Sequence, residues 1–388
     1  MHIGFSPADE AFRDEVCAWM KANLVGEFTV LHGRGGPGDE MEDMLPLREA
    51  WERKLADGGW TCTSWPTEHG GRGLSIPQQL IWHEEYARAG GPGRLGHIGE
   101  TLLGPTLIEL GTDEQKRRFL PPIRRAEVLW CQGYSEPEAG SDLAGVRTRA
   151  VLDGDTWRID GQKVWTSHAA WAQWCFVLCR TDADAAKHRG LSYILVPMDQ
   201  PGITIKPIDQ MTGKSEFCEV FFEGATTARD NIVGRPGDGW KAAMATLKHE
   251  RGVSTLGQQI GFERELEAVI AAARANGRID NPAIADRIAK AWAGLRSQRL
   301  LALRTLRESG KPARGAIVNK LLWSEWHKSL GELAMDVIGE QSARLESGEL
   351  SILQRLFLFS RADTIYAGTS EIQRNIIAQR GLGLPRRR

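Results

Sequence analysis

The 388-residue chain has no excess of charge of either sign, 49 Lys and Arg standing against 50 Asp and Glu. That balance provides no basic field to hold a nucleic-acid backbone or an anionic membrane surface, so neither partner is expected. No apolar run approaches the length that spans a bilayer. The N-terminal stretch MHIGFSPADEAFRDEV turns acidic at once and lacks a basic segment followed by an apolar one, so the expectation is a cytoplasmic protein without a secretory signal. Cysteine is sparse: Cys17, Cys62, Cys131, Cys175, Cys179 and Cys218 show no C-x-x-C pair and no His-paired spacing. Buried free thiols, and no metal site, are therefore expected.

What is present is enough apolar residue, 41% of the chain, to build a substantial core in two or three domains. Residues 1–125 carry helical signals: FRDEVCAWMKANL places Phe12, Val16, Met20 and Leu24 at helical spacing, and PLREAWERKLADGGW ends on a glycine pair. LIWHEEYARAGG and TDEQKRRFLPPI add two more helices, the second with Thr112 and Asp113 as candidate caps. From 126 to 235 the pattern changes to strands and turns, among them VRTRAVL-DGD-TWRIDG, a hairpin signal centred on Asp153-Gly154. A compact antiparallel, barrel-like β domain is expected there. From 236 to 388 long helices return, and several in series argue for a helical bundle. The fold class is thus α+β and multidomain.

Two literal G-x-G-x-x-G strings, GRGGPG at 33–38 and GPGRLG at 91–96, are not read as dinucleotide loops. That motif works between a strand and a helix N-terminus, and here helical segments precede both.

YSEPEAGSDLAG, 134–145, is more informative, because it sets Ser135, Gly140 and Ser141 on a tight turn leaving a strand, where converging N–H groups can take a pyrophosphate or a flavin edge. KVWTS, 163–167, offers Trp165 to cover a planar ring and a hydroxyl at Ser167. YSEPEAGSD, GQKVWTS, QMTGKSEF, DGWKAAM and YAGTSEIQRN follow one another in order along the chain. That series resembles the acyl-CoA dehydrogenase family over essentially the full length.

The resemblance implies an N-terminal helical domain, a middle β domain, a C-terminal four-helix domain and FAD as cofactor. It implies FAD contacts at Gln132, Tyr134, Ser135, Gly140, Ser141, Trp165, Ser167, Thr369 and Glu371, with the redox chemistry belonging to the cofactor. The reaction implied is loss of an α-proton and a β-hydride from an acyl-CoA thioester, giving the trans-2-enoyl thioester, in fatty acid or steroid side-chain catabolism. Such a proton needs a positioned carboxylate and a polarised carbonyl. Many members carry the base just before the Gly-Thr of the C-terminal bend, but the residue here is Ala367. The isovaleryl-CoA and long-chain branch takes its base from the helix that opens the C-terminal domain, and the alignment puts Glu250 there. Arg251 and Ser141 match substrate-lining positions, and the Ala367 N–H matches a donor to the thioester carbonyl.

Symmetric members complete the FAD site with an R-x-x-F-G and a Q-x-x-G-G stretch from a neighbouring subunit. Here these regions read ARANGRIDNPAI and DVIGEQS, with Asp336 in place of Gln and Glu340 in place of the second Gly, and a carboxylate facing a pyrophosphate is repulsive. The resemblance therefore implies a heterotetramer with a related subunit, beside the alternative of a homo-oligomer, and an electron-transferring flavoprotein as acceptor. Two other readings stay open at this point: a flavin-binding or accessory subunit, and a base-independent relative such as a desulfinase.

Overall fold

A computed structural model describes residues 5–35, 41–250, 254–307, 314–345 and 348–385, without the side chains of 42, 250, 254–257, 305–307 and 314–316. Its helices are α1 (Pro7–Asn23), α2 (Leu45–Asp57), α3 (Ile76–Arg88), α4 (Gly104–Leu110), α5 (Asp113–Arg124), α6 (Gly239–Glu250), α7 (Ser254–Ala275), α8 (Pro282–Arg307), α9 (Arg314–Ile338), α10 (Ile352–Asp363) and α11 (Ser370–Ile376). The strands are β1 (Trp130–Gly133), β2 (Arg149–Asp153), β3 (Thr156–Ser167), β4 (Trp174–Arg180), β5 (Leu191–Pro197), β6 (Ile203–Pro207), β7 (Phe217–Ala228) and β8 (Ile232–Val233). By contact the chain divides into two compact units, one of residues 24–75 and 91–252, the other of 1–23, 76–90 and 253–388.

The first unit is built on one eight-stranded sheet in the order β6-β7-β3-β2-β4-β5-β8, with β1 added alongside β4. The hairpin signal is met: Asp153 pairs with Thr156 across a two-residue turn, and Gly154 has φ +59°. The sheet is antiparallel at five of its seven pairings, as expected of an antiparallel domain, and two parallel pairings are added to it. β1 runs parallel to β4, and β2 meets β4 in parallel at the single pair Arg149 and Arg180. Strand composition does not encode direction when the connection between partners is long, so the parallel pairs were not legible. β4 and β5 are buried on both sides. Phe176, Leu178, Tyr193 and Leu195 join a core with α4, α5 and α6, while Cys175, Val177, Ile194 and Val196 face a second core with Trp157, Ile159 and Phe222. That is why WCFVLC and LSYILV are unbroken apolar runs and β3 alternates.

Thr112 caps α5 in a capping box with Gln115, whose side-chain amide also donates to the Asp230 and Ile232 carbonyls. A π turn over 98–103 leads into α4, and neither was foreseen.

In the second unit, Phe262, Leu266, Val269 and Ala273 form the inner stripe of α7, and they pack with Ile284, Ile288 and Leu295 of α8, Leu330, Leu333 and Val337 of α9, and Leu353 and Leu356 of α10. α1 and α3 belong to this unit although they lie in the first 90 residues. Charge holds them there: the buried Glu84 pairs with Arg299, and Glu85 with Arg13. All six cysteines are free. Five are buried as expected, but Cys17 is exposed, its thiol 3.4 Å from Glu85 Oε2.

Candidate active site

In the β-sheet unit the predicted cofactor residues sit on β1, the loop after it, and the far end of β3. The loop turns tightly, Glu136 and Ala139 exchanging backbone hydrogen bonds at 3.1 and 3.0 Å. A side chain at Gly140 would meet nothing within 4 Å, so the loop presents open backbone there. Ser141 is exposed and Ser135 half-buried. The loop is anchored to β3 by Val164 N–H, which donates to the Ser135 carbonyl at 2.9 Å.

Lys163 is the deeper anchor, a residue that motif reading passed over. Its ammonium, wholly buried, donates to the Tyr134 carbonyl at 3.0 Å, the Leu178 carbonyl at 2.8 Å and Glu136 Oε1 at 2.8 Å. The same carboxylate accepts from Thr148 N–H at 2.8 Å and Arg147 N–H at 2.6 Å. Burial lowers the Lys163 pKa. Burial alone would raise that of Glu136, but the Lys163 charge and the donated hydrogen bonds leave it below the ordinary carboxylate value. A Lys two residues before an exposed Trp, with a Glu in the loop it must hold, was the available signal.

β3 bulges after Lys163, its register with β7 resuming at Thr166 opposite Cys218. Trp165 sits in the bulge at φ +59° with its indole 58% exposed, edge-on to Phe217 at 6.2 Å between ring centroids. A left-handed tryptophan costs about 1–2 kcal/mol, so the fold holds this ring outward against a local preference. Ser167 pairs with Phe217, and His168 follows, also left-handed at φ +59°. Burial, aided by His97 and Arg48, pushes the His168 imidazole down to about 3, so it is neutral.

Among the buried polar atoms with no hydrogen-bond partner in the described residues are Gln132 Nε2 on β1 and Thr166 Oγ1 on β3. Burying an unsatisfied amide costs about 1–3 kcal/mol, a cost that a ligand with acceptor atoms removes. Tyr134, by contrast, turns its ring inward against Phe176 and Tyr193, at 5.8 and 6.2 Å.

In the helical unit, α10 and α11 flank the bend 364–369. Thr369 caps α11, its hydroxyl accepting from Ile372 N–H at 3.3 Å. Glu371 is fully exposed, its carboxyl held below the usual value by its own backbone N–H and the Thr369 hydroxyl. Ala367 forms the tip at φ +50°, followed by Gly368 at φ +92°. The Gln373 amide donates to the Ala367 carbonyl at 3.1 Å, and Ser370 N–H to the Thr364 carbonyl at 2.9 Å. The Ala367 N–H donates to no group among the described residues.

The backbone of Glu250 closes α6, but its side chain, and the whole of Arg251, lie outside the described residues. Asp336, expected to repel a pyrophosphate, pairs with Arg287, while Arg278 donates to the Asp336 carbonyl at 2.8 Å. A Cβ at Gly339 would come within 2.6 Å of the Arg278 guanidinium, so that group packs where DVIGEQS turns at φ +58°.

Sequence profiles of the acyl-CoA dehydrogenase N-terminal, middle and C-terminal domains match residues 6–127, 131–225 and 237–382. The acyl-CoA dehydrogenase IpdE1 of Mycobacterium tuberculosis is 57% identical over 97% of this chain and 98% of that protein, and IpdE1 of Mycolicibacterium smegmatis is 55% identical over the same shares. Among solved structures, the Tcur3481-Tcur3483 steroid ACAD superposes with a TM-score of 0.86 at 31% identity over all of both chains. The ChsE4-ChsE5 complex from Mycobacterium tuberculosis gives 0.83 at 29% over the same full coverage. The helical, β, helical order and these matches define an oxidoreductase of the acyl-CoA dehydrogenase class. The chain belongs to the acyl-CoA dehydrogenase family.

Proposed function

We propose that this chain binds FAD and dehydrogenates a bulky acyl-CoA thioester, of the steroid side-chain kind, to its trans-2-enoyl-CoA. In the β-sheet unit Gln132, Tyr134, Ser135, Gly140, Ser141, Trp165 and Ser167 hold the cofactor, Tyr134 through its backbone. Thr369 and Glu371 do so in the helical unit. The orphaned Gln132 amide, the open backbone at Gly140 and the exposed Trp165 ring support the fit. FAD, when bound, supplies the acceptor for the β-hydride.

The observation that carries the reading is the bend tip: Ala367 offers a backbone N–H with no partner among the described residues and a side chain that cannot take a proton. The N–H polarises the thioester carbonyl, and the α-proton goes to a carboxylate from elsewhere, Glu250. Ser141 and Arg251 line the thioester. The three-part division at 125 and 235 is kept with this reading, and so is an electron-transferring flavoprotein as acceptor.

For assembly, the absent R-x-x-F-G and Q-x-x-G-G residues support a heterotetramer with a related subunit that completes the FAD site, while the Asp336 charge is itself matched by Arg287. Two structural relatives are themselves named as two-component proteins. The test is an anaerobic titration of the purified protein with acyl-CoA thioesters from propanoyl-CoA to steroid side-chain thioesters, following flavin bleaching. Glu250→Gln is expected to lose about 10²–10⁴-fold in bleaching rate, the span of general base catalysis. Bleaching at the wild-type rate in that variant removes Glu250 from the mechanism.

A further inference from the structure

The helical unit carries a buried charged cluster that the chemistry above does not use. His327, on α9, is enclosed between two carboxylates: Asp363 Oδ2 lies 2.5 Å from Nδ1, and Glu265 Oε2 lies 2.7 Å from Nε2. A neutral imidazole has one N–H and one lone pair, and either tautomer would aim that lone pair at a carboxylate. With an acid on each nitrogen the ring must carry both protons. The Phe262 ring covers it, centroids 4.4 Å apart.

Asp363 is the last residue of α10 and only 1% exposed. Its Oδ1, the oxygen that does not meet His327, accepts the Tyr366 hydroxyl at 2.8 Å, and its backbone carbonyl accepts from the Lys320 ammonium. Tyr366 immediately precedes Ala367. The left-handed tip is thus held from one side by Gln373, through the Ala367 carbonyl, and from the other by a chain from Glu265 through His327 and Asp363 to the Tyr366 hydroxyl. A strained αL alanine persists only where its surroundings determine it more than once.

We propose that His327 and Asp363 are positioning residues: through the Tyr366 hydroxyl they fix the bend so that the Ala367 N–H is aimed as a hydrogen-bond donor. The part that concerns the thioester carbonyl rests on the dehydrogenase reading; the part that concerns the bend does not. The groups facing the imidazolium are Asp363, Glu265, Phe262 and Trp326, with Lys320 and Tyr366 one step beyond on Asp363.

The experiment is amide hydrogen exchange of the purified protein, without any thioester, on peptides covering 364–376, corrected for intrinsic exchange against peptides from β4 and β5. Tyr366→Phe removes only the hydroxyl of a partly exposed ring and tests the link without threatening the fold. Exchange at the bend is expected to rise about tenfold in Tyr366→Phe and at least as much in Asp363→Asn, the loss expected for one hydrogen bond to a charged group. In the wild type the same rise is expected as pH passes through about 9, where the ring loses its second proton. Unchanged exchange in Tyr366→Phe, or a bend indifferent to pH between 7 and 10, overturns the proposal.

A second arm reads the carbonyl. With whichever thioester of the panel bleaches the wild-type flavin, Tyr366→Phe should lower kcat about tenfold and leave KM unchanged, because an aimed donor acts in the transition state. Altered exchange with unaltered kcat overturns the catalytic part. If no thioester bleaches the wild type while the exchange result holds, the dehydrogenase reading fails and the positioning network stands.

Discussion

The Lys163 ammonium and the Glu136 carboxylate form a buried ion pair, 2.8 Å apart, that ties the loop 134–141 to the strand bearing Trp165. Neither group is left short of partners: the ammonium has two backbone carbonyls besides, and the carboxylate two backbone N–H groups. The pair costs desolvation on both sides, and what it secures is one arrangement of loop and strand.

Breaking it from one side should be severe. Lys163→Met leaves Glu136 as a buried anion and is expected to cost about 3–5 kcal/mol in urea denaturation, whereas Lys163→Met with Glu136→Gln recovers part of that loss. A double variant no more stable than the single one would show that the pair matters for packing alone.

Trp165 should behave in the opposite sense. Trp165→Gly removes the αL penalty at an exposed position, so the protein stripped of flavin should be no less stable and up to about 1 kcal/mol more so. FAD retention in a gel-filtration assay should fall at the same time. A loss of thermal stability in the flavin-free protein would mean that the indole is a core element.

Two histidines set opposite limbs of the pH–stability curve. His327 is raised to about 9 from 6.5, so its contribution is complete below pH 6.5 and is lost as pH rises through 9. His168 is lowered to about 3, so its contribution is present above pH 6.5 and is lost as pH falls from 6.5 towards 3. Each limb should be on the order of a few kcal/mol. Urea midpoints from pH 4 to 10 should show His327→Gln flattening the alkaline limb and His168→Asn the acid one.

Gly104→Ala tests packing under the sheet unit. A Cβ there would lie 1.9 Å from Trp65 Cζ2, and Trp65 cannot easily withdraw because its indole N–H donates to the Glu100 carbonyl at 2.8 Å. The loss should reach or exceed about 1–3 kcal/mol by chemical denaturation, and Trp65→Phe in the same chain should relieve part of it.

Much of this was legible along the chain. The helical stripe of α1, the Thr112 cap and the Asp153-Gly154 turn are local, set by spacing and by residues with strong backbone preferences, and ordered motifs located the family. Lys163 and Glu136 lie 27 residues apart, and Asp363 lies 36 from His327, so nothing in local periodicity links them. The two parallel pairings of β4 escape local reading for the same reason.

By itself the sequence determined the order of helical and β segments, the chemistry on offer in YSEPEAGSD and KVWTS, and the absence of an acid at position 367, because these are properties of residue type and near-neighbour spacing. Only the tertiary structure decided that Trp165 is held outward in a bulge, that Tyr134 turns into the core, that Asp336 is matched by Arg287, and that His327 stands between two carboxylates behind the bend. Those are matters of which distant groups share a low-dielectric space, where a charge must find its partner or not be buried at all.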